Sequence, residues 1–247
     1  MRVTIIIPTY NEAANIGELI KRIRATVPEV DILVVDDNSP DGTGRIVEEI
    51  ASNNNRVQLL KRAGKEGLGK AYIAGFKKVL AEGEVTHIVM MDADLSHDPI
   101  YLPKMFALAR DYDVVVGSRY LSGGGTVGWE LWRRILSRLG NYYAHFVTGL
   151  PVRDCTGGFN LISVKYLEKI MLSNVTATGY AFIMEIKFIM YTLGAKFVEI
   201  PIIFKNRTGG QSKLSGKIIK EGVIAPLFMR LGGGKRFLGP DNTDTQG

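Results

Sequence analysis

The sequence predicts an α/β fold, with a single, mostly parallel central sheet flanked by helices. Short β-branched runs alternate with stretches of helical apolar spacing through the first half of the chain. The runs Val3–Ile7, His87–Met91 and Val114–Val116 carry no Asp, Glu, Lys or Arg, as strands covered on both faces require. Polar clusters stand just past four strand ends: Pro8–Glu12, Asp36–Asp41, Asp92–Asp94 and Ser118–Arg119. Open α/β sheets bind their ligands at that edge.

Val3–Ile7 reads as the first strand, and Asn15–Ile23 as a helix with Ile16, Leu19, Ile20 and Ile23 on one face. Asp31–Val35 is a second strand, ended by the turn residues Asp36–Gly42. A helix resumes over Gly44–Ala51, and Val57–Leu60 is a third strand. The Gly/Lys segment Gly64–Lys70 is a loop leading to a helix that ends near Leu80. His87–Met91 and Val114–Val116 are the fourth and fifth strands. The second half is less regular. Gly123–Gly125 reads as a flexible loop, Gly128–Val147 as a helix and Thr156–Phe159 as a turn. Helices follow over Ser163–Leu172 and Gly179–Leu193, then a strand over Phe197–Phe204. Lys205–Gly216 is a polar, basic loop, and Lys217–Arg230 a helix bent near Pro226. Residues 1–231 are expected to form one domain in two halves, 1–120 and 121–231. Residues 232–247 read as a disordered tail.

A chain of 247 residues with 46% hydrophobic and 23% charged content can bury a full core without disulfides. Its one cysteine, Cys155, excludes an internal disulfide and a thiolate metal cluster, and reads as packed. The net charge of +6 suits an anionic ligand or a membrane surface. No long basic stripe favours nucleic acid. No run reaches the ~18 apolar residues of a membrane span, and Met1–Pro8 is too short for a signal peptide.

Asp92 and Asp94, one residue apart at a strand end, can converge on one divalent cation. Oxygen ligands suit Mg²⁺ or Mn²⁺, which would neutralise a diphosphate leaving group. Asp36 and Asp37 can hold a ribose hydroxyl or a base edge, and Tyr10 and Glu12 stand beside them at the first strand end. No glycine-rich dinucleotide fingerprint or phosphate loop is present. His87, His97 and His145 lack zinc-ligand spacing, and His97 reads as capping or solvent-facing, with contact to a metal or phosphate as the alternative. No Gly-x-Ser-x-Gly elbow supports serine hydrolysis. In the Gly128–Val147 helix, Trp129, Trp132, Leu136, Leu139, Tyr143 and Phe146 share one face, with Arg134, Arg138 and His145 opposite. That pattern fits either an interfacial helix that meets lipid or one that covers the sheet with its apolar side.

In this order, Ile7–Glu12, Val35–Gly42, Met91–His97, Gly117–Tyr120, Asp154–Phe159 and Arg207–Leu214 resemble the GT-A fold glycosyltransferases of family 2. With Gly128–Trp129, Gly179–Tyr180 and Gln211–Leu214, the sequence is more specifically similar to the dolichyl-phosphate (polyprenyl-phosphate) mannose synthases. The resemblance spans about residues 3–230. It implies that Pro8, Tyr10, Glu12 and Asp37 line the nucleoside site, with Lys70 near the base or diphosphate. It assigns the metal and donor diphosphate to Asp92 and Asp94, with Ala93 along the donor, and the acceptor phosphate to Ser118, Arg119 and Arg133. Arg207 and Lys213 would close over the diphosphate. Asp92, Asp94, Arg119 and Arg133 would carry catalysis, and Asp154 would either orient the arginines or shape a turn.

By the same resemblance the donor is GDP-mannose and the acceptor a dolichyl or polyprenyl monophosphate. One displacement inverts the anomeric centre. The sequence lacks the Gln-x-x-Arg-Trp segment and the membrane helices of polymer-forming family members. It is similar to the soluble catalytic type, peripheral on the cytoplasmic face of a membrane, and a small membrane-anchoring subunit stays open. UDP-glucose as donor, a soluble or protein acceptor, and a non-catalytic nucleotide-binding subunit are the alternatives.

Overall fold

The computed structural model describes residues 1–170, 172, 175, 179–206 and 216–233. β1 (Val3–Thr9), β2 (Asp31–Asp36), β3 (Val57–Lys61) and β4 (His87–Met90) are parallel neighbours. β5 (Val114–Ser118) pairs in parallel with β8 (Phe197–Pro201). β7 (Asn160–Ser163) lies antiparallel between β4 and β5 and joins the halves into one seven-stranded sheet, ordered β3-β2-β1-β4-β7-β5-β8. The expected α/β architecture is therefore present.

Alternation along β1 divides the core. Ile5 and Ile7 pack on one face with Ile16, Leu19, Ile20 and Ile23 of α1 (Ile16–Thr26) and Val47 of α2 (Thr43–Ser52). Leu102 and Met105 of α4 (Leu102–Leu108) cover the same face. Ile6 and Val35 face the other side, with Tyr72 and Phe76 of α3 (Leu68–Glu82) and Phe182 of the helix over Gly179–Thr192. Gly75 lets α3 lie close to the sheet, because a Cβ there would stand 2.8 Å from Ile6 Cγ2.

Several elements differ from the sequence expectation. β7 fills the gap between the expected turn and the expected helix and takes that helix's first residue, Ser163. All four of its residues are buried, so it shows no polar alternation, and its partners lie far away in sequence. The helix after it, α6, is a single turn, Val164–Leu167. Gly125–Val127, expected to be partly flexible loop, forms β6 and pairs with β9 (Ile203–Lys205). The expected strand over 197–204 is thus two strands. Pro201, at the end of β8, has no N–H to extend the ladder, and Ile202 donates to the Ser118 carbonyl as the chain leaves for β6. Helix α5 begins at Leu131 and runs to Thr148, not from Gly128, whose φ of +79° lies in the left-handed region. Trp129 therefore precedes the helix. Helix α7 spans Gly179–Thr192. Helix α8 spans Gly216–Phe228, continues through Pro226, and is followed by a π-helical turn over Met229–Gly233. The rest of the expected tail lies outside the described residues.

Helix α5 is turned opposite to an ordinary surface helix. Asn141, Ala144 and Thr148 face the body, while Leu131, Trp132, Ile135, Leu136, Leu139, Tyr142 and Phe146 are exposed. It does not cover the sheet with its apolar side. Tyr143 leans onto α8, its hydroxyl donating to the Val223 carbonyl at 2.8 Å. Val223, Leu227, Phe228 and Leu231 are exposed beside it. Among the described residues no helix is long and apolar enough to cross a membrane.

Candidate active site

β1, β2, β4 and β5 end on one edge of the sheet. Because β7 runs antiparallel, the loop that enters it, residues 154–159, reaches the same edge. Non-glycine residues with positive φ mark three of these strand ends: Asn11 (61°), Asn38 (57°) and Leu95 (62°). For a leucine that conformation costs ~1–2 kcal/mol. Here it folds the chain so that Asp94 Oδ1 accepts from both the Ser96 amide (3.1 Å) and its hydroxyl.

Asp94 is buried and Asp92 partly exposed. The Asp92 amide donates to His97 Nδ1 at 3.0 Å. His97 is buried, stacks on Phe159 (5.0 Å between centroids) and meets Phe204 edge-on (5.5 Å). Burial pulls its pKa below the usual imidazole value, against the pull of Asp92 and Asp94. The neutral ring then carries its proton on Nε2, 3.9 Å from Asp92 Oδ2. His97 is not solvent-facing; its ring caps the Asp92 amide. It backs the Asp92 turn. Asp92 and Asp94 offer oxygen donors suited to a hard divalent cation. Among the described residues no group of three or more His, Cys, Asp and Glu could hold one. Such an ion would complete its shell with water and phosphate oxygens, which is the usual Mg²⁺ arrangement.

The second strand end is more structural than the sequence suggests. Asp36 is buried, and its oxygens accept from Thr9 Oγ1 (2.9 Å) and the Ser39 amide (3.0 Å). It shapes the loop and is not presented to a ribose. Asp37 is also buried, paired with the Arg62 guanidinium. Arg62 pairs in turn with Glu66, and Glu66 with exposed Lys70 at 3.0 Å. Asp41 ties the first two loops together, accepting from the Ala13 and Thr43 amides, each at 3.0 Å. Glu12 accepts from Asn15 Nδ2 at 2.9 Å. Tyr10 carries Lys65 Nζ 3.9 Å above its ring centre. Pro8 is partly exposed at the end of the β1 ladder, and Ala93 is buried between the aspartates.

At the end of β5, Arg119 is clamped by Asp154. Its Nε and one Nη donate to the two carboxylate oxygens at 2.7 Å each, and its amide donates at 3.0 Å. Asp154 is fully buried. Burial alone would raise its pKa, but the Arg119 guanidinium outweighs this and holds it below the usual carboxylate range. Asp154 therefore orients the arginine. The Trp129 ring has Arg133 4.1 Å from its centre and Arg119 at 5.6 Å. Arg119 and Arg133 thus share one indole at the N-terminal end of α5. Phe204 packs edge-on against both Trp129 (5.6 Å) and His97, linking the two sides. Ser118, by contrast, is fully buried, its hydroxyl accepting from the Tyr120 amide at 3.3 Å. It shapes the turn under Arg119 and presents no open surface to an acceptor. Arg207 and Lys213 lie outside the described residues. A cavity of about 590 Å³ at the opposite edge, lined by His87, Arg110, Asp113 and Lys165, shares no residue with this site.

Residues 4–171 match glycosyl transferase family 2. The chain belongs to that family. It is 42% identical over 224 residues to an undecaprenyl-phosphate mannosyltransferase of Micrococcus luteus, covering 91% of this chain and 92% of the relative. It is 41% identical over 225 residues to a polyprenol monophosphomannose synthase of Mycolicibacterium smegmatis, covering 90% and 84%. Glucosyl-3-phosphoglycerate synthase from Mycobacterium tuberculosis, solved with Mn²⁺, UDP and glucosyl-3-phosphoglycerate, superposes with a TM-score of 0.66 at 19% identity, covering 94% of this chain and 80% of that one. Mannosyl-3-phosphoglycerate synthase from Rubrobacter xylanophilus gives 0.67 at 17% identity, covering 100% and 79%. These two structures share the fold, which is GT-A.

Within this family member, sequence reasoning missed Lys187, Glu199 and Asn141, which hold the loop of Asp154. Lys187 sits in an apolar helix, Glu199 in a strand and Asn141 in an amphipathic helix, so no local motif marks them. The two charges Glu185 and Lys187 inside an otherwise apolar helix were the available signal.

Proposed function

We propose that this chain transfers mannose from GDP-mannose to a polyprenyl monophosphate, releasing GDP and inverting the anomeric centre. The observation that carries the reading is the exposed apolar face of α5, with Arg119 and Arg133 gathered at Trp129 where that helix begins. A lipid phosphate needs both features: an apolar surface for its chain or bilayer, and planar cations for its head. The names of the two relatives agree with this acceptor and with mannose.

An acceptor phosphate monoester has a second pKa near ~6, so it arrives largely as a dianion and needs no general base. It needs positioning against a like-charged donor. Arg133, and Arg119 with its fork held by Asp154, would bind the phosphate oxygens and aim one at the anomeric carbon. That oxygen forms the new bond as the sugar–diphosphate bond breaks with its electron pair going to GDP. Asp92 and Asp94 would hold a divalent cation, Mg²⁺ or Mn²⁺, that neutralises charge on the leaving diphosphate. His97 keeps the Asp92 turn in shape. Tyr10, Glu12 and Asp37 would line the nucleoside side, with Pro8, Ala93 and Lys70 nearby. Arg207 and Lys213 would add cations over the diphosphate. The chain would work peripherally on a membrane's cytoplasmic face through α5 and α8, with or without a small anchoring subunit.

The test is transfer of radiolabelled sugar into an organic-extractable product with short polyprenyl phosphates and Mg²⁺ or Mn²⁺. GDP-mannose and UDP-glucose are run in parallel. Label only from GDP-mannose, lost in folded Asp94→Ala and Arg119→Ala variants, is the expected result. Label only from UDP-glucose replaces the sugar. No lipid product from either donor, with detergent or membranes supplied, refutes the acceptor.

A further inference from the structure

Helix α7 is almost wholly apolar, yet it carries Lys187 to a position that is 1% exposed. A buried ammonium is costly unless its protons are used. The Lys187 Nζ donates to the carbonyls of Asp154 (2.9 Å) and Gly157 (3.0 Å), with Cys155 farther at 3.4 Å. The same loop is held by its amides. Glu199 accepts from Arg153 (2.9 Å) and Asp154 (3.0 Å), and Asn141 accepts from Thr156 (3.1 Å). The loop is closed tightly over the carboxylate, since a Cβ at Gly157 would stand 2.9 Å from Asp154 Oδ1. That carboxylate is the one that grips Arg119.

We propose that Lys187 is a positioning residue for the acceptor phosphate: its ammonium sets the 154–157 loop and, through Asp154, the aim of Arg119. This rests on the reading of Arg119 as an acceptor-phosphate ligand.

The arrangement makes acceptor binding sensitive to pH. Burial pulls the Lys187 pKa down to about 8, with the Asp154 carboxylate opposing. The groups facing it are Asp154, Cys155, Arg119 and Glu199. Burial pushes the Cys155 thiol up to about 12, so it stays neutral, while Arg119 holds Asp154 ionised. Loss of the Lys187 proton removes a donor from the three-carbonyl clasp and a positive charge from beside Asp154. The acceptor phosphate is already a dianion in this range and adds no titration of its own.

The test measures KM for a short polyprenyl phosphate and for the sugar nucleotide separately, with the full chain, from neutral pH to about pH 10. In wild type the acceptor KM is expected to rise ~5–10-fold from pH ~7 to pH ~9, with the donor KM within ~2-fold. Lys187→Met is expected to raise the acceptor KM ~10-fold at neutral pH and to abolish the pH dependence. Glu199→Gln, which loosens the loop from its amide side, is expected to raise the acceptor KM and keep the pH dependence. If Lys187→Met does not fold, the wild-type and Glu199→Gln profiles decide. An active wild type whose acceptor KM is flat with pH, or a folded Lys187→Met in which both KM values move together or neither moves, overturns this inference alone. A wild type that makes no lipid-linked sugar at any pH overturns the acceptor reading, and this inference with it.

Discussion

Replacing Leu139 and Phe146 together by serine tests the outward face of α5 without touching the core. Leu139 is 60% exposed and Phe146 78% exposed. Full burial of such a side chain is worth ~1.5–3 kcal/mol. Moving the exposed fractions into a bilayer interface is therefore worth about 1 kcal/mol for Leu139 and about 2 kcal/mol for Phe146. The double variant should lose about 3 kcal/mol of partitioning, roughly a hundredfold in the partition coefficient. The assay is sedimentation with phosphatidylcholine vesicles containing an anionic lipid, read beside a thermal melt. The melt should barely move, because these side chains give little to the folded state. Transfer to a membrane-embedded acceptor should fall, while transfer to a short acceptor in detergent should hold up better. Unchanged partitioning would refute the membrane-facing role of α5. A large drop in melting temperature would show that the face is packed in solution, against the exposure on which the reasoning rests.

Asp154→Asn leaves the Arg119 and Lys187 charges buried without their carboxylate and should cost ~3–5 kcal/mol. At ~2–4 °C per kcal/mol for a chain of this size, that is a fall of ~6–20 °C, checked by calorimetry. Asp154 binds its proton less readily folded than unfolded, so its stabilisation is full above the ordinary carboxylate pKa of ~3.9. It is lost as pH falls below that value. Acid titration of the melting temperature should show a shallower loss in Asp154→Asn than in wild type. Asp94→Asn should keep the fold by circular dichroism and lower transfer by at least ~10²-fold, with weaker metal-dependent nucleotide binding by calorimetry. Gly75→Ala forces a methyl against Ile6 and Val35 where α3 crosses the sheet, and should destabilise by ~1–3 kcal/mol in urea unfolding.

Much of the site was legible because its chemistry sits at strand ends. Asp92 and Asp94 follow an uncharged strand, and Ser118 and Arg119 follow three valines, so locating the strands located them. Which strand-end side chains are tied to protein partners was not legible. Asp36 and Asp37 look alike in sequence, yet one accepts from Thr9 and Ser39 while the other is held by Arg62. The Thr9 and Arg62 contacts join residues from different elements. The burial of His97 is hidden from the sequence for the same reason: it depends on Phe159 and Phe204, far along the chain. Trp129 was placed in the helix by its spacing, but Gly128 ends the preceding strand with a positive φ and sets the indole beside the arginines.

The sequence by itself determined the α/β class, the sheet edge that carries the polar clusters, the placement of Asp92 and Asp94 at a strand end, and the apolar and basic sides of α5. Each follows from short-range periodicity, which is a property of neighbouring residues. Tertiary structure decided which way those sides point. Asn141, Ala144 and Thr148 turn α5 so that its polar seam meets the body and its apolar face meets the outside, a choice that periodicity leaves open. It also decided that β7 runs backwards through the sheet, which brings Asp154 to Arg119 and Lys187 beneath both. Strand direction and buried charge pairing depend on segments tens of residues apart, so they exist only once the chain has folded.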